Sequence, residues 1–560
     1  MEQSSRKNGS RRDSFFYLPK VLSRSELIVW CIFAVIAVFS FIGIANEINK
    51  RFSVPAPAYG GILREGVIGN PRFMNPVLAQ TDADRDIVAL TFAGLLRHDG
   101  EGNLIPALAE KYEVSSDGLQ YTVTLRDKLV WPDNRALTAD DVIFTINLAK
   151  NPQIQSPKRA NWEGIEVEKI DQRTIRFHLR KAYTPFIENL TLGIMPKHLW
   201  ENISQSQFSL VDLNINPVGA GPYQVESANK DSHGSIISMR LSANGDFVLG
   251  KPHIKSLQLY FYPDEATIIK NLQNGFLDSS GAVSPQELDA LNKKDFAVRS
   301  IGLQRAIAIF FNPNNNKSLT NIKIRQGLDQ AIDKNMLVEK VLHNYGVAID
   351  GPLPPRIIPP ENVEDAYDAD AAQKSIQGGL KNKETLRITL TTVQNIPEFT
   401  EAADLIKSMW ESAGATVDIR TFAQDELERE IIGPRKYEAF LYGEEVIGKN
   451  PDPFAFWHSS QRTHPGLNIA LYTNVKVDGL LEKVRSEQNA AKQKEMYTVI
   501  QNDIKKDVPA VFLYSPSYLY IMPSSLEGFN IRTINTASER FETIHEWYLQ
   551  KQYIWKIFLK

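Results

Sequence analysis

A chain of 560 residues is long enough for roughly three or four units of ordinary domain size, and with 43% hydrophobic and 23% charged residues it is not disordered by composition. The 63 Lys plus Arg against 66 Asp plus Glu leave a net charge of −3, which offers no electrostatic footprint for nucleic acid. Its one cysteine, Cys31, excludes an internal disulfide and any metal site built on cysteines, so the folded part must be held by its core.

Leu27–Ala45 reads LIVWCIFAVIAVFSFIGIA, nineteen residues without a charge, with Ser40 as the only clearly polar side chain. At ~1.5 Å per residue this run nearly spans a hydrocarbon layer of ~30 Å. Arg6, Lys7, Arg11, Arg12, Lys20 and Arg24 precede it, and only Lys50 and Arg51 follow closely. That bias places residues 1–26 in the cytoplasm as a basic tail and everything beyond about residue 50 outside. A cleaved secretory signal is the alternative; the length of the run and the want of a small-x-small cleavage site stand against it. A lipoprotein anchor needs a cysteine just after the run, whereas Cys31 sits near its start. The expectation is an uncleaved transmembrane helix at 27–45 and a short Pro-stiffened linker at 46–59, reaching at most about 35 Å from Lys50 to Gly60.

The body opens with a strand at Gly60–Leu63. The alternate Asp82, Asp84 and Asp86 have the spacing of a calcium loop, but Ile87 stands where that loop needs Gly, so Thr81 onward reads as a polar approach to a helix. Gly100, Gly102 and Asn103 mark one turn and Asp117-Gly118 a second. Tyr121–Leu125 alternates as a half-buried strand, and Leu129–Trp131 reads as its hairpin partner. Thr138 and Asp141 form a capping box for a helix whose apolar face is Val142, Ile146 and Ala149, and Asn151-Pro152 stops it.

Three phrases in this stretch carry a family resemblance: GLLRHDGEGNLIPALAE at Gly94–Glu110, DGLQYTVTLR at Asp117–Arg126 and LTADDVIFT at Leu137–Thr145. In order and spacing they resemble the signature of the family 5 extracytoplasmic solute-binding proteins, which serve ABC importers of oligopeptides, dipeptides and nickel chelates. Asp133-Asn134 stands where the family usually has Asp-Gly, and Asn tolerates the left-handed backbone that Gly supplies.

Farther along, Ile165–Val167 and Ile175–Leu179 read as a hairpin that leaves His178 on its solvated face. Pro217–Tyr223 is weak as a phosphate loop, lacking a Lys-Ser/Thr after Gly221, and instead resembles the family's PVGTGPY element with Ala220 for Thr. Tyr260–Tyr262, Asp264–Asn274 and Phe276–Asp278 read as strand, helix, strand, a βαβ unit implying a parallel sheet. Ile307–Phe311 is a strand, and Asn321–Asp333 resembles the family's VRQAL-x-x-AID helix with Gly327 for Ala. Leu386–Thr392, Pro397–Ala413 capped by Gly414, Thr416–Thr421, Asp425–Ile432 and Tyr437–Gly443 form a doubly wound α/β pattern, in which ligands sit beyond the strands' carboxyl ends. That rule points to Gly443, Glu444 and Glu445. Asn450–Ser460, Gly466–Asn468 with Tyr472, and Val508–Tyr514 also resemble family segments; the Trp547–Lys560 tail resembles none.

No nucleophile elbow, His-Glu-x-x-His, Walker loop or nucleophilic cysteine is found in the body, which argues against an enzyme and requires no cofactor. His458 and His464 read as loop histidines rather than a metal pair. The resemblance implies a two-lobed α/β fold of the periplasmic-binding-protein type with an inserted subdomain, preceded by the transmembrane helix. It divides the chain into a first lobe of 60–94, 206–305 and 515–560, an insertion at 95–205 and a second lobe at 306–514. It implies a monomeric peptide binder delivering to an ABC permease, and it aligns Glu445 with the acidic residue that holds the ligand's α-ammonium in peptide-binding members. Glu444, Gly443, Tyr442, Trp457, Thr81 and Tyr514 complete the expected ligand set. A nickel chelate or saccharide binder, a tethered sensor and a hydrolase are the other readings.

Overall fold

The computed structural model of the chain describes residues 23–281, 283–291, 295–360, 367–380, 384–445 and 451–558. These fall into two units, one containing the N-terminal helix with strands Ser53–Ala58 and Gln550–Trp555, the other running Tyr59–Leu549.

In the first unit a helix spans Arg24–Phe52, extending the expected apolar run at both ends. Ser23 caps it and Glu26 returns the bond to the Ser23 N–H at 2.8 Å. Arg24–Asn49 is long and apolar enough to cross a membrane, and its large apolar side chains are exposed. The segment expected as a free linker is instead a strand: Ser53–Ala58 pairs antiparallel with Gln550–Trp555, Ser53 opposite Trp555 and Ala58 opposite Gln550. Pro55 and Pro57 are tolerated because a two-stranded ribbon consists only of edges. The unassigned C-terminal tail thus has a partner.

The second unit is organised on one long mixed sheet. Its strands follow the order Ala415–Phe422, Leu386–Val393, Ala439–Glu445, Arg305–Phe311, Ala510–Pro523, Ser279–Ser280, Gly60–Ile68, Ile254–Tyr262, Ile236–Ala243, Tyr223–Lys230. Leu386–Val393 is parallel to both its neighbours, as the expected α/β pattern requires, and the helix Pro397–Ser412 packs against it. Ala439–Glu445 is antiparallel to Arg305–Phe311. Ala510–Pro523 changes partner along its length: residues up to Tyr514 pair with Arg305–Phe311, and Ser517–Pro523 pair with Phe296–Leu303. The expected βαβ unit is present with one shift. Its second strand is Ser279–Ser280 rather than 276–278, and Gly60–Ile68 lies between it and Ile254–Tyr262, parallel to both. Phe276 leaves the strand to pack edge-on against Tyr260, ring centres 4.8 Å apart.

Residues 109–178 build a separate four-stranded antiparallel sheet. The expected partner of Tyr121–Leu125 is corrected here: that strand lies between Ala109–Val114 and Thr174–His178, and Leu129–Trp131 contributes a single bridge, Val130 to Ala136. The alternating Ile175 and Phe177 complete the buried face of Tyr121, Val123 and Leu125, and Trp131 enters the same core as a side chain from a loop. The Thr138–Asp141 capping box and left-handed Asn134 (φ 65°) are as expected. Gly219 and Gly221 are close-approach glycines: a Cβ would lie 2.1 Å from the Thr91 carbonyl oxygen at the first and 2.4 Å from its carbonyl carbon at the second. Gly327 replaces the family's Ala because a Cβ there would meet the Ala372 carbonyl oxygen at 2.9 Å.

One buried charge cluster ties the two ends of this unit together. Arg540 donates to both carboxylate oxygens of Asp86, at 2.8 and 2.6 Å, and through Nε and Nη2 to Glu65. Glu65 also accepts from the Tyr520 hydroxyl at 2.8 Å. The guanidinium is fully desolvated, so its two carboxylate partners are what make its burial tolerable.

Candidate ligand site

Alternation along Ala439–Glu445 sets the chemistry of the strand end. Phe440, Tyr442 and Glu444 share one face, while Leu441, Gly443 and Glu445 share the other. On the first face the Phe440 and Tyr442 rings stack at 5.0 Å, and Tyr442 also stacks with Phe399 at 6.4 Å. Glu444 is 2% exposed. Its Oε2 accepts from Trp457 Nε1 at 3.2 Å, and its Oε1 has no hydrogen-bond partner among the described residues. Burial among aromatic and aliphatic neighbours pushes the Glu444 carboxyl up to about 8, and the Trp457 bond offsets only part of that. At neutral pH Glu444 therefore holds a proton.

Gly443 lies opposite Ile307, where a Cβ would come within 2.9 Å of Ile307 Cδ1 and 3.6 Å of the Arg305 stem. Glu445 closes the strand opposite Arg305. Its side chain, like residues 446–450, lies outside the described residues. Trp457 is buried against Phe310, Tyr472 and Phe512. Tyr514 is buried on the long strand, opposite Ile307 and Ala348. Burial, then the neighbouring Glu398 carboxyl, pushes the Tyr514 phenol well above its ordinary range, although the two groups are too loosely placed for a hydrogen bond of normal geometry.

Thr81 stands apart from this group. It caps the helix Asp82–Thr91, its hydroxyl accepting from the Asp84 N–H at 3.1 Å, and that helix packs into the core of Leu63, Ile87 and Tyr520. The structure thus brings Tyr442, Gly443, Glu444, Trp457 and the Glu445 backbone to one strand end. Tyr514 reaches the same sheet two strands away.

Sequence reasoning did not find the polar bridge that joins the 95–205 segment to residues 451–497. The Tyr183 hydroxyl donates to Asp452 Oδ2 at 2.9 Å, and Arg485 Nη2 meets the same oxygen at 3.1 Å. The Arg485 guanidinium lies over the rings of Tyr183 and Phe454, at 4.9 and 4.4 Å. Thr184 N–H donates to the Arg485 carbonyl at 2.7 Å, and Gln488 donates to the carbonyls of Ser115 and Ser116. Asp452 lies in the recognised NPDPF phrase, but nothing local distinguishes Tyr183 or Arg485.

Comparison with known proteins accords with this architecture. The profile of the bacterial extracellular solute-binding proteins, family 5 Middle, matches residues 103–465, and the chain belongs to that family. It is 25% identical over 527 residues to the oligopeptide-binding protein AppA of Bacillus subtilis, covering 90% of this chain and 95% of that one. It is 26% identical over 509 residues to the dipeptide-binding protein of Escherichia coli, covering 85% and 93%. Among solved structures, that of the ABC transporter substrate binding protein CtaP from Listeria monocytogenes superposes with a TM-score of 0.77 at 24% identity, over 88% of this chain and 99% of that one. The α/β fold of the binding proteins and the solute-binding class are thereby shown.

Proposed function

We propose that this protein is a membrane-anchored, extracytoplasmic peptide-binding protein that captures di- or oligopeptides between two hinged lobes and passes them to an ABC permease. The observation that carries the reading is its likeness, over nearly the whole of both chains, to proteins named for oligopeptide and dipeptide binding. The first lobe is read as 60–94, 206–305 and 515–560 with 95–205 inserted, and the second as 306–514. The switch of strand partners between Leu303 and Arg305, and again between Tyr514 and Ser517, supports a hinge there. The exposed apolar helix supports the anchor, and the basic residues before it support a cytoplasmic N-terminus. The protein acts as a monomer and as a binder, not a catalyst.

Within the site the ligand's ammonium is assigned to Glu445, because Glu444 is held neutral by burial and has no charge to offer. Leu386–Val393 pairs with this strand only as far as Phe440, so at Gly443 that edge is open to a peptide backbone, whose main-chain hydrogen bonds give affinity without strict sequence preference. Tyr442 lines the same end. Trp457, Glu444 and Tyr514 support it from within the core, and Thr81, whose hydroxyl caps the helix Asp82–Thr91, is left out of the contact set. A ligand touching both lobes biases an existing equilibrium toward closure. Calorimetry of the full chain in detergent with di-, tri- and tetrapeptides tests the reading. Binding is expected for the parent, and Glu445→Gln should weaken it by about 1.5–3 kcal/mol, the range of a hydrogen bond to a charged group. Unchanged affinity in the variant removes the role of Glu445, and absence of peptide binding removes the peptide reading.

A further inference from the structure

The ribbon made by the two ends of the chain has a face that the binding function does not use. Pairing of Ser53 with Trp555, Pro55 with Tyr553 and Pro57 with Lys551 puts these six residues on one side, since alternate residues of a strand share a face. Tyr553 is 68% exposed, Trp555 41%, and Ile557 just beyond the strand 76%. Phe52, 50% exposed, lies 6.3 Å from Trp555 between ring centres. Trp555 Nε1 also donates to Asn49 Oδ1 at 2.8 Å, in the last turn of the apolar helix. Large apolar side chains exposed together, rather than singly, mark a contact with a membrane or a partner.

Depth gives these rings a place. Asn49 is four residues beyond Ala45, the end of the uncharged run, or ~6 Å along a helix. The head-group layer on each side of the hydrocarbon is about 5–8 Å thick. Trp555 is therefore tied to the helix at the level where the hydrocarbon gives way to head groups. Trp and Tyr are enriched at that level because an apolar ring and a polar N–H or O–H each find their own solvent there. Lys556 and Arg51 flank the rings as exposed cations, suited to the phosphates of the same layer.

We propose that the C-terminal strand is a second membrane contact: Tyr553, Trp555 and Ile557, with Phe52, seat in the outer interfacial layer of the bilayer that the N-terminal helix crosses. This rests on the anchoring part of the proposed function. The partner is a lipid surface rather than a protein, because the rings continue the lipid-facing surface of the helix itself. The consequence is that the chain returns to the bilayer after the binding body, so that both ends of the body lead into one membrane-seated ribbon.

The test uses the full chain in nanodiscs of phosphatidylcholine and phosphatidylglycerol. The native Cys31 carries an environment-sensitive fluorophore in one sample, and Ile557→Cys in a Cys31→Ala background carries it in the other. At 557 the expected result is blue-shifted emission, at least twofold quenching by lipids spin-labelled near the head group, and protection from aqueous iodide. Adding Tyr553→Ser and Trp555→Ser should abolish the lipid quenching at 557 while a label at Cys31 in the same double variant stays quenched by lipids labelled deep in the acyl chain. Water-like, iodide-accessible emission at 557 with Cys31 still embedded overturns the second contact alone. A Cys31 label that lipids do not quench overturns the anchor, and the second contact with it.

Discussion

Tyr183 and Asp452, separated by 269 residues of chain, share a 2.9 Å hydrogen bond in which the phenol donates to a carboxylate that Arg485 also holds. Burial, then the Asp452 charge, pushes the Tyr183 phenol upward, so it remains a donor throughout the physiological range. A bond of this kind between the two proposed lobes exists only when they are together, and it stabilises the closed arrangement whatever the cargo. Tyr183→Phe removes the donor and leaves Asp452 its Arg485 partner. A loss of about 1 kcal/mol, or roughly fivefold in peptide affinity, is expected. It should appear in the dissociation rate, measured by stopped-flow, and an unchanged rate would remove the bridge from the closing mechanism.

The Glu444 carboxyl gives a pH dependence with a definite sign. Its native value of about 8 lies above the ordinary 4.5, so between those limits the folded chain holds a proton that the unfolded chain has lost. Stability from this group is complete below pH 4.5 and declines as pH rises to about 8. Burial pushes Asp86 up to about 6 and Glu542 up to about 7, so they titrate in the same window, and the parent curve must be subtracted. Glu444→Gln keeps an acceptor for Trp457 and removes the titration. Its stability relative to the parent, from urea unfolding, should rise steadily between pH 4.5 and 8. Parallel curves would mean that Glu444 is not held neutral.

The Arg540 cluster answers to substitution of its cation. Arg540→Met leaves Glu65 and Asp86 buried without a counter-charge, and breaking a buried pair in this way destabilises by about 3–5 kcal/mol. Denaturant unfolding of the variant should show a loss of that size, and one below 1 kcal/mol would mean that water reaches the carboxylates.

Gly221 tests the close approach to Thr91. Gly221→Ala places a methyl group 2.4 Å from a backbone carbon, which cannot rotate away. Overpacking of this kind costs about 1–3 kcal/mol. A lowered Tm is expected, whereas Gly250→Ser, with open space around its Cβ position, should show only the cost of its left-handed backbone (φ 107°).

Local chemistry made much of this fold legible. The Thr138–Asp141 cap, the left-handed Asn134 and the cap at Gly414 each depend on residues within a few positions of one another. Pairings across long stretches of chain were not legible. Leu129–Trp131 was misread because the partners of Tyr121–Leu125 are Ala109–Val114, just before it, and Thr174–His178, some fifty residues on. Ser53–Ala58 passed for a linker because its two prolines are loop residues by composition and its partner strand begins at Gln550. At the site, the strand-end rule brought Gly443, Glu444 and Glu445 to attention. It did not foresee that Glu444 turns inward to Trp457, because which face of a strand is core depends on what packs there. Thr81 was singled out for a ligand role, and its hydroxyl is engaged in a helix cap.

Whether a peptide is the cargo is read from native mass spectrometry of the gently purified full chain, followed by release and sequencing of what it carries. Bound masses should resolve into short peptides that exchange for added peptide. A nickel chelate, a sugar or any other non-peptide solute that peptide does not displace would contradict a peptide cargo.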